Sequence, residues 1–366
     1  MKVLFVRGAF LNNFEGQNYP ENIIGYSSLF PLDDRVQFPL VRLMSLADLQ
    51  KVPLLNLPIR YIANRTLGDS QILLGLEKYI EGSDIVHVGD PHYYYSYQAA
   101  RLREKGRIKK LVCTWWETIP FNNESTHAKK KIKRYTIQHT DMFVCYSKRA
   151  QSCMVQEGIP ENKITIIPLG VDLDLFKPIR KKRGDVFTLL FVGRLVKEKG
   201  ILDVYNVLKA ILLQEKKVRL RIVGDGPLKK SIQDMIQKDG LGEIVTIETR
   251  SYWEMPQVYR SADALFIPSK RTATWEEQYG MVFVEAMASG IPIVSTATGA
   301  IGEVVGGAGL LAKEGDTAEL VTLIIRIIRV RELGAKLGTI GRERAKKFFD
   351  AKKTKERLQN LYRELL

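Results

Sequence analysis

Short apolar runs alternate along this chain with longer stretches of helical length. In the first half the runs fall at residues 3–6, 85–88, 111–114, 142–145 and 164–167, with helix-length segments such as 93–105 and 147–156 between them. In the second half they fall at 188–192, 218–223, 244–247, 264–267 and 292–295, with segments 200–213, 228–238, 254–261 and 280–289 interleaved. Strands that are apolar throughout, without a polar face, predict parallel sheets covered on both sides. Strand–helix repetition predicts an α/β protein, and two series in one chain predict two doubly wound, Rossmann-like domains. The break falls at 168–184, where two prolines, two glycines and the basic run 180–183 read as a solvated linker. The expected domains are therefore residues 1–170 and 171–349. Residues 335–366 read as one or two charged amphipathic helices.

The 366 residues exceed what one ordinary core accommodates. Apolar residues at 45% and charged residues at 27% fit a soluble globular protein. The most apolar stretch, 323–330, is broken by Arg326 and Arg329, so no segment reads as a bilayer span. Residues 1–6 are too short for the apolar region of a secretion signal and read as a first strand. Three scattered cysteines, Cys113, Cys145 and Cys153, argue against a disulfide frame or metal cluster and point to a reducing cytoplasm.

The net charge is +15, and residues 101–149 alone hold 13 Lys and Arg against 4 Asp and Glu. Such an excess suits nucleic acid, an anionic membrane face or a phosphorylated substrate. No helix-turn-helix, RNP or zinc-finger pattern accompanies it, so nucleic acid is set aside. The alternatives are a solvated helix face or, through residues 129–135, docking to the inner face of an anionic membrane.

Three constellations carry chemistry. In the first, an apolar strand ends at Gly193, and Arg194 and Lys199 flank the start of a helix. A glycine turn, a helix N-terminus and two cations suit a diphosphate, and they also suit an ordinary charged surface turn. In the second, Gly224-Asp225-Gly226-Pro227 follows a strand, as a nucleotide edge or simply a tight βα turn. In the third, Glu277, Gln278, Tyr279, Gly280 and Met281 lead into an apolar helix that contains Glu285. N–H groups at 279–281 can face an anion. A carboxylate inside an apolar helix is costly unless satisfied, by a buried Arg or by a ligand. Carboxylates accept paired hydrogen bonds from vicinal diols, so two of them suit a sugar and a ribose.

Taken in order, these constellations resemble the retaining family 4 glycosyltransferases of GT-B fold, also called glycosyl transferases group 1, over about residues 85–350. Glu277 and Glu285 match the family's E-x7-E. Arg194 and Lys199 match its G-R-x-x-x-x-K-G, and residues 224–227 its G-x-G-P. Residues 164–178 look like its I-P-x-G-V-D-x-x-x-F-x-P interdomain segment. The resemblance implies two Rossmann-like domains facing a central cleft, with a C-terminal helix at about 350–366 packing back on the first. It implies that Arg194 and Lys199 bind the donor diphosphate. Glu277 would hold the donor sugar, and Glu285 the ribose. The donor would be a nucleotide sugar, UDP- or GDP-linked, used without a metal or other cofactor. The acceptor would be a glycan, a lipid-linked sugar or a small molecule.

The first half departs from the family pattern. The glycine-rich turn expected after the first strand is reduced to residues 7–10 and Gly16. Where many members carry T-x-H, this chain has Thr114-Trp115-Trp116, followed by Glu117. His92, Trp115, Trp116, Glu117 and Gly16 are therefore the acceptor-side candidates. An NAD-dependent oxidoreductase would need G-x-G-x-x-G after an early strand, which residues 7–12 fail. A catalytically inactive carbohydrate-binding relative, or a GT-B epimerase or phosphorylase, remains the alternative.

Overall fold

The computed structural model describes residues 1–30, 36–49, 59–179 and 184–366; the basic run 180–183 of the expected linker lies outside them. The chain divides into two compact units, Met1–Leu169 with Lys352–Leu366, and Gly170–Ala351.

The first unit is built on seven strands: β1 (Val3–Gly8), β2 (Ile24–Ser28), β3 (Leu40–Leu43), β4 (Ile85–Val88), β5 (Lys110–Trp115), β6 (Met142–Cys145) and β7 (Ile164–Ile166). They pair in parallel in the order β3-β2-β1-β4-β5-β6-β7. Alternate residues feed two cores. Leu4, Val6, Val86, Val88 and Leu111 join one cluster; Val3, Phe5, Ile85 and Val112 join the other. Burial on both faces is why these strands read as continuous apolar runs.

The helix Ala351–Glu364 belongs to this unit from Lys352 onward and contributes Leu358, Leu361 and Tyr362 to the second cluster. Its Tyr362 hydroxyl lies 2.7 Å from Nδ1 of His87, whose Nε2 lies 2.8 Å from Thr114 Oγ1. Burial pushes the His87 pKa down to about 3, so the ring is a neutral bridge in the sheet core at ordinary pH.

The second unit holds six parallel strands: β8 (Phe187–Val192), β9 (Val218–Val223), β10 (Val245–Glu248), β11 (Ala264–Ile267), β12 (Ile293–Thr296) and β13 (Gly309–Ala312). Their order is β10-β9-β8-β11-β12-β13. Helices Ile201–Leu212, Lys229–Lys238, Met255–Ser261 and Met281–Ala288 follow β8, β9, β10 and β11. Two further helices, Thr317–Arg329 and Arg331–Phe348, follow β13. Strands β2, β3 and β13 are additions to the sequence reading. All three cysteines are buried thiols. Among the described residues no helix is long and apolar enough to cross a membrane.

The basic stretch 129–135 is not one surface. It lies on the helix His127–Gln138, where Ile132 and Lys133 turn inward. Lys133 is buried, 2.5 Å from Glu157 and 3.4 Å from Glu124. Lys131 and Arg134 remain exposed on the outer face.

Candidate functional site

In the second unit, loops at the C-terminal ends of β8, β11 and β12 meet around Glu277. The sheet order reverses between β8 and β11, the place where open parallel sheets bind ligands. After β8 the chain runs through Gly193 and Arg194 into a short 3-10 turn, Lys197–Lys199. Gly200 ends that turn with φ +70°, and a side chain there would overlap the carbonyl of Pro268 in the loop after β11. This close approach brings Lys199 to Glu277: Nζ donates to Oε2 at 2.6 Å. Ser269 Oγ donates to the same oxygen at 3.2 Å, and the Lys199 ammonium lies 5.1 Å from the Trp275 ring centre.

The Glu277 backbone is fixed as firmly as its side chain. Ala300 N–H donates to its carbonyl at 2.8 Å. Gly299, at φ +59°, lies against the same carbonyl so closely that any Cβ would overlap it. Sequence reasoning passed over Ser269, Trp275 and Gly299, because none stands in a spacing that marks it.

Gly280, at φ +84°, opens the helix Met281–Ala288; a Cβ there would strike the Phe283 ring. The first turn of a helix has no preceding carbonyls to accept its N–H groups, so this end is suited to an anion. Gln278 is half-buried beside it. The Tyr279 side chain is buried edge-on to Phe349, so any ligand contact of Tyr279 comes from its backbone.

Glu285 is buried on the same helix. Its carboxylate accepts a hydrogen bond from the Tyr259 hydroxyl at 2.6 Å, and the Arg partner that the sequence left open is not what satisfies it. Burial raises its pKa to about 7, against the lowering effect of that hydrogen bond.

Arg194 stands apart. Its side chain is 63% exposed and its ion pair with Glu198 is long, at 4.0 Å. Gly193, Gly224 and Gly226 serve backbone packing. Gly193 N–H donates to Val223 O, Leu195 N–H to Asp225 O and Leu228 N–H to Leu195 O, lacing the loops after β8 and β9 together. The Gly-Asp-Gly-Pro segment is thus a tight turn that shapes the floor beside Arg194. Among the described residues no three His, Cys, Asp or Glu stand close enough to hold a metal ion.

The first-unit candidates separate. Trp115 is a core residue, not a cleft residue: it is fully buried, its indole N–H donates to Glu117 O at 2.9 Å, and it packs edge-on against Phe143. Glu117 is also committed. Its carboxylate accepts from the N–H groups of Thr118 and Ile119 and from the side-chain amides of Asn122 and Asn123, at 2.8–3.2 Å. It organises a loop in which Phe121 and Asn123 take φ +60°. Gly16 is buried under Val36. His92 is half-buried against the Tyr93 ring, its pKa held below the usual range by burial and by Lys129, Lys133 and Arg7. Trp116 is half-buried at the end of β5, and its backbone N–H donates to Asp90 Oδ1 at 2.8 Å.

Comparison with known proteins agrees with the two-sheet fold. Residues 174–344 match the family model of glycosyl transferases group 1, and residues 30–175 that of glycosyltransferase family 4. An uncharacterized glycosyltransferase of Methanocaldococcus jannaschii is 30% identical over 272 residues, 73% of this chain and 72% of that protein. The capsular polysaccharide biosynthesis glycosyltransferase CapM of Staphylococcus aureus is 29% identical over 62% of each chain. Among solved structures, Anabaena HepE in complex with UDP superposes over all of both chains with a TM-score of 0.78 at 18% identity. Two parallel-sheet units of this topology are the GT-B architecture. The chain belongs to the family 4 glycosyltransferases, and it is a glycosyltransferase enzyme.

Proposed function

We propose that the enzyme moves a sugar from a nucleoside-diphosphate sugar, UDP- or GDP-linked, to a hydroxyl of a glycan, lipid-linked or small-molecule acceptor, with retention at the anomeric carbon. The Lys199–Glu277 pair at 2.6 Å carries this reading. A carboxylate held by a lysine, a serine and a glycine clamp is a rigid acceptor for sugar hydroxyls, and the lysine beside it meets the diphosphate. As the anomeric C–O bond breaks, the electron pair leaves on the diphosphate. Lys199, the N–H groups opening helix Met281–Ala288, and Arg194 turning in from solvent stabilise that charge without a metal. The acceptor oxygen bonds to the same face, and a leaving phosphate oxygen takes its proton. Glu285 accepts the ribose hydroxyls. The UDP and UDP-glucose complexes of HepE support a nucleotide-sugar donor. The capsule-pathway relative supports a glycan product.

Donor hydrolysis across UDP-, GDP-, dTDP- and ADP-sugars tests this. Lys199→Ala and Glu277→Ala should each lower turnover by about a hundredfold or more. Near-normal rates in both overturn the assignment, and absent turnover with every donor favours an inactive binding relative.

A further inference from the structure

The C-terminal edge of the first unit's sheet holds a second polar cluster. Arg7 lies at the end of β1 and Glu15 in the four-residue helix Asn13–Gly16 that follows. Asp90 lies two residues beyond β4, and Trp116 one beyond β5. The chain leaves β1 to one side for β2 and β3, then continues on the other side with β4, so these residues crowd the point of reversal.

Arg7 Nε donates to Glu15 Oε2 at 2.8 Å, and Nη1 donates to the Tyr95 hydroxyl at 3.4 Å and lies 3.7 Å from Asp90 Oδ2. Arg7, Glu15 and Asp90 are 6%, 0% and 5% exposed. One guanidinium faces two buried carboxylates, which leaves the cluster net negative inside a protein of net charge +15. It is also incompletely satisfied: among the described residues, Glu15 Oε1 and Trp116 Nε1 are buried without a hydrogen-bond partner. The first can only accept while ionised and the second can only donate. Aromatic rings border the cluster: Phe14 meets Trp116 edge-on, the Arg7 guanidinium lies 5.9 and 6.0 Å from the Tyr93 and Trp116 ring centres, and Phe14, Tyr93 and Trp116 are half-buried.

We propose that this cluster is an acceptor subsite selecting a neutral, hydroxyl-rich acceptor over a phosphorylated one; the proposal rests on the glycosyl-transfer reading above. A hydroxyl donates to Glu15 Oε1, and a sugar oxygen accepts from the Trp116 indole. The half-buried indole also offers an apolar face to a sugar ring. A phosphate meets two carboxylates instead, because Arg7 is already committed to them. The protein's overall positive charge points to anionic ligands, and this cluster reverses that preference locally.

The test uses the full chain with 15N-labelled indoles. The four tryptophans give four side-chain N–H signals, and Trp116→Phe assigns one of them. UDP and GDP are added first and followed at Trp275, which neighbours Lys199. Methyl α-D-glucopyranoside, methyl α-D-mannopyranoside and methyl β-D-galactopyranoside are then titrated, alongside glucose 6-phosphate and glycerol 3-phosphate. The Trp116 signal should move with at least one neutral glycoside in the millimolar range. The phosphorylated probes should bind at least about tenfold more weakly, and Glu15→Gln should weaken the neutral glycoside by about tenfold or more. An unshifted signal from the Trp115 indole, buried in the core of the first unit, reports that Glu15→Gln is folded; if it is not, the wild-type comparison of neutral and phosphorylated probes decides. A Trp116 signal unmoved by every neutral glycoside overturns the proposal. So does equal or tighter binding of the phosphorylated probes, or unchanged affinity in folded Glu15→Gln. A Trp275 signal unmoved by both nucleotides instead refutes the donor reading.

Discussion

Replacing Glu285 with Gln should stabilise the enzyme at neutral pH and above while weakening its hold on the donor. The side chain is buried and its pKa stands near 7, against 4.5 for an ordinary glutamate. Between those values the native state holds a proton that the unfolded state has released. The group's contribution is therefore fully present below about pH 4.5 and is lost as pH rises through about 7. The difference corresponds to about 3 kcal/mol. For a unit of this size that is roughly 6–12 °C in melting temperature. Glutamine keeps an oxygen for the Tyr259 hydroxyl and has no proton to lose. Urea or thermal unfolding at about pH 5 and about pH 8 should thus show wild type losing stability relative to Glu285→Gln as pH rises. Calorimetry with a UDP-sugar, whose diphosphate does not titrate in this range, should show the cost: a loss of roughly tenfold to a hundredfold in affinity, as expected when hydrogen bonds to a charged group are weakened. Wild-type affinity should also rise with pH toward about 7 as the carboxylate ionises, and this slope should vanish in the variant. Parallel stability curves for the two proteins, or an unchanged slope of affinity with pH, would refute the reasoning that ties the buried carboxylate to the ribose.

Gly299→Ala should lower turnover and also destabilise the second unit by about 2 kcal/mol or more, since φ +59° and the Glu277 carbonyl both exclude a Cβ; a kinetic and thermal comparison with wild type checks it. Tyr362→Phe leaves a buried His87 nitrogen unpaired, so about 1–3 kcal/mol should be lost and hydrogen exchange should rise in the helix Ala351–Glu364. If the enzyme docks on anionic membranes, the paired substitutions Lys131→Glu and Arg134→Glu should abolish co-sedimentation with phosphatidylglycerol vesicles. Lys133→Glu should instead unfold the region around Glu157, and binding indifferent to vesicle charge would count against the surface.

The two-sheet plan was legible because buried parallel strands are apolar on both faces. The runs at β1, β4 to β7 and β8 to β12 announce themselves. Strand β3 was missed because Arg42 interrupts its four residues, β13 because it opens on Gly309 and is short, and β2 because its glycine and two serines break any apolar run. At the candidate site, Lys199, Glu277, Gly280 and Glu285 were singled out by their chemistry at fixed spacing together with the family resemblance that their order carries. Ser269, Trp275 and Gly299 lie in loops, where only the fold reveals what they touch. Trp115 and Trp116 show the other limit. In a strand covered on both sides, sequence alternation does not say which of two adjacent tryptophans turns into the core and which meets the rim.

The course of the last helix has a consequence for how the protein is made. Residues from Lys352 onward complete the core of the unit that Met1–Leu169 begins, supplying Leu358, Leu361 and the Tyr362 that holds His87. The second unit, by contrast, is one unbroken stretch. During synthesis it can finish folding while the first still lacks a wall of its core. The unit begun earlier thus completes its core later, once the helix Ala351–Glu364 has been made.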